Sequence, residues 1–260
     1  MRQAGAEDVP TLHAESPDGT LVAYRVHGDV DRDGDASPPP VLLVHGFASN
    51  AVVTWEGTGW VRALADAHRS VIDVDLRGHG DSDKPVDADA YAPERLGSDL
   101  VAVLDSAGAD VVDVIGYSMG NRVVSALAEL APERVRRVVI GGAGPNELFA
   151  SWDLEDARAV LLHDEPARNP IIEQVLRPAI RAGADREALL ACIEGVSGAP
   201  LLIPGDIPTL FVAGEDDPVP RGVPELALEW DADYVSIPGR DHVSTLTSRA
   251  FKDAALAFLA

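Results

Sequence analysis

A serine between two glycines, Gly116-Tyr117-Ser118-Met119-Gly120, is the place in this chain where residue type and local spacing together suggest a nucleophile. A serine hydroxyl attacks a carbonyl only when a neighbouring base takes its proton, and that base is most often a histidine oriented by a carboxylate. The chain has seven histidines. In the fold that a serine on such a strand-to-helix turn implies, the partners follow it in the order acid, then histidine, which leaves His163 and His242. His163 falls in a helical stretch, whereas His242 comes directly after the last strand-like run, Tyr234 to Ile237, in a loop opened by Pro238-Gly239. His242 is therefore the expected base. The acid should lie on the loop after the preceding strand, where Asp216 and Asp217 stand side by side. Adjacent loop side chains diverge, so only one reaches the imidazole. The spacing Gly214-x-x-Asp217-Pro218 favours Asp217, with Asp216 as the alternative.

A tetrahedral intermediate also needs donors for its oxyanion. The amide of Met119, at the start of the helix that follows the serine, is one candidate. The amide of Phe47, in His45-Gly46-Phe47, is the other, with Gly46 allowing close backbone approach. The His45 side chain is expected to hold that loop from beneath and not to act as a base. Asp75-Leu76-Arg77-Gly78-His79-Gly80 lacks the Lys-Ser/Thr of a phosphate-binding loop and reads as a packed turn beside the site.

These residues must be carried by particular elements. Val111 to Ile115 is a short β-branched run that stops at Gly116, and Val123, Val124, Leu127 and Leu130 recur at helical spacing before Pro132, giving strand, sharp turn and helix. Thr11–Glu15 and Leu21–His27 flank Ser16-Pro17-Asp18-Gly19-Thr20 as a hairpin, and 29–40 is a surface loop. Strands are expected over 41–44, 70–75, 135–140, 209–213 and 234–237, and helices over 60–67, 93–107, 222–229 and 246–259. Alternating strand and helix predicts a parallel sheet covered on both faces, with ligands at the carboxyl ends of the strands. Residues 145–204 break that alternation with three helical stretches near 152–163, 170–182 and 185–194. The expected organisation is a core of 1–144 and 205–260 with a small helical cap over 145–204.

At 260 residues, 46% of them hydrophobic and 25% charged, the chain is long enough for one large core. A net charge of −22 argues against nucleic acid and anionic membrane surfaces as partners. The single Cys192 forms no disulfide framework and is no zinc site, so it reads as a small buried apolar residue. Met1–Asp8 lacks the apolar segment of a secretory leader, and no run approaches the roughly 18 apolar residues of a membrane span, so a cytoplasmic protein is expected.

The motifs around His45-Gly46-Phe47, Asp75 to Ser82, Gly116 to Gly120, Gly214 to Pro218 and Gly239 to His242 together resemble the α/β-hydrolase fold superfamily, of the capped type, over about residues 11–259. The resemblance implies an eight-stranded, mostly parallel sheet, a Ser118, Asp217 and His242 triad, the Phe47 and Met119 amides as an oxyanion hole, and no cofactor or metal. Serine at the turn, where epoxide hydrolases and haloalkane dehalogenases of this superfamily carry aspartate, argues against both. Asp241-His242-Val243 departs from the Gly-His-Trp of many carbon–carbon bond hydrolases, and Asn121 stands where many relatives have a small residue.

The expected activity is hydrolysis of small-molecule carboxylic esters through an acyl-enzyme. Leu148, Phe149, Trp152, Leu161 and Leu162 are candidates for the substrate lining. A lactonase, a carbon–carbon bond hydrolase and a cofactor-free perhydrolase use the same residues, and a small-molecule receptor on this scaffold is the alternative outside enzymes.

Overall fold

The computed structural model describes residues 9–30 and 38–260. Met1–Asp8, and most of the loop expected over 29–40, lie outside the described residues. Eight strands form one sheet: β1 (Leu12–Glu15), β2 (Leu21–His27), β3 (Val41–Val44), β4 (Val71–Val74), β5 (Val112–Tyr117), β6 (Val135–Gly141), β7 (Thr209–Gly214) and β8 (Asp233–Ile237). Their spatial order is β1-β2-β4-β3-β5-β6-β7-β8. The pairs β1–β2 and β2–β4 are antiparallel, and every other pair is parallel.

Apolar composition explains the middle of the sheet, because a strand covered on both faces needs no polar alternation. All residues of β3, β4, β5 and β7 are buried. On one face, α2 (Pro93–Ala107) and α3 (Gly120–Leu130) pack against the sheet, and their Leu96, Leu100, Val123 and Leu127 join Leu42, Val74 and Val114 in one core. The two helices meet at Gly97, where a Cβ would stand 2.9 Å from the Ala126 backbone. On the other face, α1 (Trp60–Asp66) and α9 (Arg249–Leu259) bring Trp60, Leu64, Phe251 and Ala255 against Leu43, Ile115 and Val212.

Between β6 and β7 the chain forms α4 (Leu154–His163), α5 (Pro170–Arg181) and α6 (Arg186–Val196). Asp153, Asn169 and Asp185 cap them by accepting from the first-turn amides. Their Val160, Leu176, Leu189 and Ile193 are buried in the same core as the α2–α3 face of the sheet. α7 (Val223–Glu229) links β7 to β8. No helix of the described residues is long and apolar enough to cross a membrane.

The end of the chain differs from expectation. A single helix was expected over 246–259, with the histidine in the loop before it. Instead His242 is the first residue of a short helix, α8 (His242–Thr247), and Ser248 separates this from α9. Side-chain caps cause the break. Asp241 accepts from the Ser244 amide at 2.8 Å and Ser244 Oγ accepts from the Asp241 amide at 3.0 Å, a closed capping box. Ser248 Oγ then accepts from the Phe251 amide at 3.1 Å and starts the next helix. His242 is thus held at a capped helix end.

Candidate active site

Ser118 lies at the turn between β5 and α3 with φ 53°, a left-handed conformation rare for a side chain with a Cβ. Four hydrogen bonds hold it there. Its amide donates to Gly141 O at 2.9 Å, and its carbonyl accepts from the Asn121 amide at 3.1 Å. The Asn121 carboxamide donates to Ser118 O at 3.1 Å and to Gly141 O at 3.0 Å. The flanking glycines are needed for space. A Cβ at Gly120 would stand 2.4 Å from His45 O, and one at Gly116 would stand 2.4 Å from Asn121 Oδ1. Asn121 is therefore the brace of the turn, a role that sequence reading missed. Its signal was a polar residue at a position that the helical pattern buries.

His242 Nε2 lies 3.1 Å from Ser118 Oγ, and its Nδ1 lies 2.8 Å from Asp217 Oδ2. A carboxylate only accepts, so Nδ1 carries the proton and Nε2 is free to accept the serine O–H. The Asp217 side chain is fully buried, and its second oxygen accepts from the Val219 amide at 2.9 Å. Asp216, the preceding residue of the same loop, is exposed and donates its amide to Arg240 O at 3.0 Å. The structure thus brings Asp217 and not Asp216 to the imidazole. His163 closes α4 and is outside this chain of hydrogen bonds. Tyr117, beside the serine, donates its hydroxyl to the carbonyl of His242, and its ring lies 5.2 Å from the imidazole.

The loop after β3 lies against Ser118, since a Cβ at Gly46 would stand 3.1 Å from Ser118 Cβ. Neither the Phe47 nor the Met119 amide has a hydrogen-bond partner among the described residues, so both donors are available to an oxyanion. Three buried side chains fix that loop. His45 Nε2 accepts from the Leu76 amide at 3.0 Å and its Nδ1 donates to Gly46 O at 2.7 Å. His79 Nε2 accepts from the Ala48 amide at 3.0 Å and its Nδ1 donates to Arg77 O at 3.1 Å. Asp75 accepts from the Ala51 amide at 2.7 Å and the Asp81 amide at 3.0 Å. Burial disfavours a charge on either ring, so the His45 pKa is lowered and that of His79 is pushed down to about 3, with the His45 ring adding to the effect. Both rings stay neutral and in the same tautomer. The 75–80 segment is a packed turn, with Gly80 against the Asp75 carboxyl group.

Of the candidate lining residues, Phe149 packs on Phe47 with ring centroids 4.8 Å apart, and Trp152 packs on Phe149 at 5.1 Å. An aromatic row thus runs from the loop after β3 toward α4. Leu161 is fully buried in the core, and Leu148 and Leu162 are partly buried against it. Cys192 of α6 is buried, and its sulfur lies 3.8 Å from that of Met119, so α6 covers the residue after Ser118.

Among the described residues, one group has donors spaced for a cation: His27, Glu56 and Asp73, with ligating atoms within 4.8 Å of one another. The Arg25 guanidinium already supplies positive charge there. His27 Nε2 is 2.6 Å from Asp73 Oδ2, and the Arg25 guanidinium is 3.6 Å from Asp73 Oδ1 and 3.5 Å from Asp75. The arrangement is an ion-pair network tying β2 to β4.

Comparison with known proteins agrees with this architecture. The family model described as the alpha/beta hydrolase fold matches residues 39–186, more than half of the chain. The chain belongs to that family. It is 37% identical over 115 residues to epoxide hydrolase B of Mycobacterium tuberculosis, covering 44% of this chain and 32% of that one. It is 34% identical over 128 residues to the 2-hydroxy-6-oxo-2,4-heptadienoate hydrolase of Pseudomonas putida, covering 49% and 44%. The matched stretch thus spans less than half the length of these curated relatives. A solved hydrolase from Pseudomonas aeruginosa is similar over 98% of this chain and 100% of its own, with 27% identity and a TM-score of 0.74.

Proposed function

We propose that this protein is a serine hydrolase that cleaves small-molecule carboxylic esters through an acyl-enzyme. The observation that carries the proposal is the continuous chain from Ser118 Oγ through His242 at 3.1 Å to buried Asp217 at 2.8 Å. Ser118 attacks the ester carbonyl while His242 Nε2 takes its proton. Asp217 holds the tautomer and balances the imidazolium. The Phe47 and Met119 amides receive the oxyanion. His242 then passes its proton to the leaving alcohol, and a water activated by the same imidazole releases the acid. The helices of 145–204 serve as a cap, with Phe149 and Trp152 lining the substrate side.

The likeness to an epoxide hydrolase does not extend to the nucleophile, because the resemblance associates aspartate with that chemistry and this chain has Ser118. Carbon–carbon bond hydrolysis is the second reading, favoured by the likeness to the Pseudomonas putida enzyme. A p-nitrophenyl ester series from acetyl to long acyl chains tests the first reading. Turnover by the wild type that falls by about 10⁴-fold or more in Ser118→Ala supports it. No turnover of any ester by folded protein sinks it and leaves carbon–carbon cleavage to be assayed.

A further inference from the structure

His242 is carried by an exposed element. α8 has six residues, of which Thr245 is the buried one, and Val243 beside His242 is 72% exposed. The capping box of Asp241 and Ser244, and the bond from Thr245 Oγ1 to Asp241 O at 2.7 Å, lie within the segment, so they shape the helix without placing it on the protein. Two buried side chains reach it from the core. The Tyr117 hydroxyl donates to His242 O, at the first residue of α8, and Trp60 Nε1 donates to Leu246 O at 2.9 Å, near its last. A backbone carbonyl only accepts, so the aromatic side chains are the donors. Burial raises the Tyr117 pKa, with Asp217 and Asp241 adding to the effect, so the phenol keeps the proton that it donates.

Both donors are themselves fixed. Tyr117 is 4% exposed and Trp60 is fully buried. Phe251 of α9 packs on both, with ring centroids 4.8 Å from Trp60 and 6.2 Å from Tyr117. A Cβ at Gly141 would stand 2.6 Å from Phe251 Cζ and 2.8 Å from Tyr117 Cδ2, so these rings are pressed against the end of β6. A Cβ at Gly142 would stand 2.8 Å from Tyr117 Cζ and 3.1 Å from His242 Cε1, so the phenol ring, the imidazole and the backbone after β6 meet at one point. Tyr117 also precedes Ser118 in the chain. One residue therefore carries Ser118 through its backbone and holds His242 through its hydroxyl.

We propose that Tyr117 and Trp60 are positioning residues for His242, tying α8 at its two ends so that the imidazole stays in line between Asp217 and Ser118. The proposal rests on the hydrolytic reading above and adds to it two residues that act through His242 and not on the substrate. Nε2 lies 3.1 Å from Ser118 Oγ and Nδ1 lies 2.8 Å from Asp217, and both bonds must hold at once for the proton to move. A helix that drifts by about 1 Å loses one of them, and such a misplacement costs about 100-fold in rate. Packing alone does not prevent the drift, since α8 buries only Thr245.

Tyr117→Phe removes the hydroxyl and keeps the ring, and Trp60→Phe removes the indole N–H. With p-nitrophenyl acetate each variant is expected to lose about 10- to 100-fold in kcat while KM stays within about twofold of the wild type, because the binding side of the site is untouched. Trp60→Phe also opens space in the core, so Tyr117→Phe carries the decision. A second readout needs no ester: the rate at which a fluorophosphonate probe labels Ser118 depends on His242 and is expected to fall by a similar factor in Tyr117→Phe. Adding Tyr117→Phe to His242→Ala should change that labelling rate by less than about twofold, since no imidazole is left to place. Wild-type kcat and labelling in Tyr117→Phe, with only a lower melting temperature, would make the hydroxyl a packing contact and overturn the proposal, as would equal losses with and without His242. Folded wild type that is labelled but cleaves no ester sinks the ester reading alone, and slower labelling of Tyr117→Phe then still supports the positioning role. Folded wild type that is not labelled at all overturns it.

Discussion

Lowering the pH from 7 to 5 adds protons to histidines of the unfolded chain but not to His79 of the folded protein, whose pKa is pushed from 6.5 down to about 3 by burial. Between those two values the unfolded state binds the extra proton, so stability is full above pH 6.5 and is lost as the pH falls through this window. At pH 5 the shortfall is about 1.5 pH units, worth about 2 kcal/mol. The perturbation is His79→Gln, which does not titrate. At pH 7 the variant should be less stable by about 1–3 kcal/mol, since it disturbs the bonds to the Ala48 amide and Arg77 O. At pH 5 that gap should shrink by about 2 kcal/mol, because only the wild type carries the proton-linked cost. Urea unfolding of both proteins at pH 5, 6 and 7 and constant ionic strength measures it. All other titrating groups, His45 included, are present in both proteins. A gap that stays constant across the three pH values would refute the neutral, buried imidazole as the clamp of the loop after β3.

Two further outcomes follow from the site geometry. Asp217→Asn should lower kcat about 10³- to 10⁴-fold by removing the carboxylate that fixes the His242 tautomer, while Asp216→Asn should stay within about twofold of the wild type in the same ester assay. Gly120→Ala places a Cβ 2.4 Å from His45 O and 2.5 Å from Val44 O. Neither backbone oxygen can move without breaking the sheet, so the loss should exceed about 3 kcal/mol and lower the melting temperature by roughly 6–12 °C.

The parts of this fold that were legible in the sequence are those written locally. Val41–Val44 and Thr209–Ala213 are apolar runs that a doubly covered strand explains, and the spacing of Ser118, Asp217 and His242 along the chain singled out three side chains that the structure brings within hydrogen-bond distance. Asp217 could be favoured over Asp216 from loop spacing, but the choice is fixed by tertiary contact, the Val219 amide and the His242 ring. Asn121 shows the limit more sharply. Its sequence neighbours say only that it lies on a helix, whereas its role depends on Gly141, brought alongside by the pairing of β6 with β5. The break at Ser248 was missed because Leu246 to Leu259 keeps a helical apolar rhythm across it. Two serines and an aspartate acting as caps outweighed that rhythm.

The helices α4, α5 and α6 leave the sheet from β6 and return at β7, and those two strands are direct parallel neighbours. The excursion is therefore a crossover that the sheet tolerates at almost any length, since each doubling of such a connection adds only about 0.6 kcal/mol of closure entropy. Ser118, His242 and Asp217 all come from outside it. Grafting a longer or shorter excursion between Gly141 and Thr209 would thus be a way to redesign what this scaffold accepts while leaving its chemical machinery in register, with Met119 against Cys192 as the seam to be rebuilt.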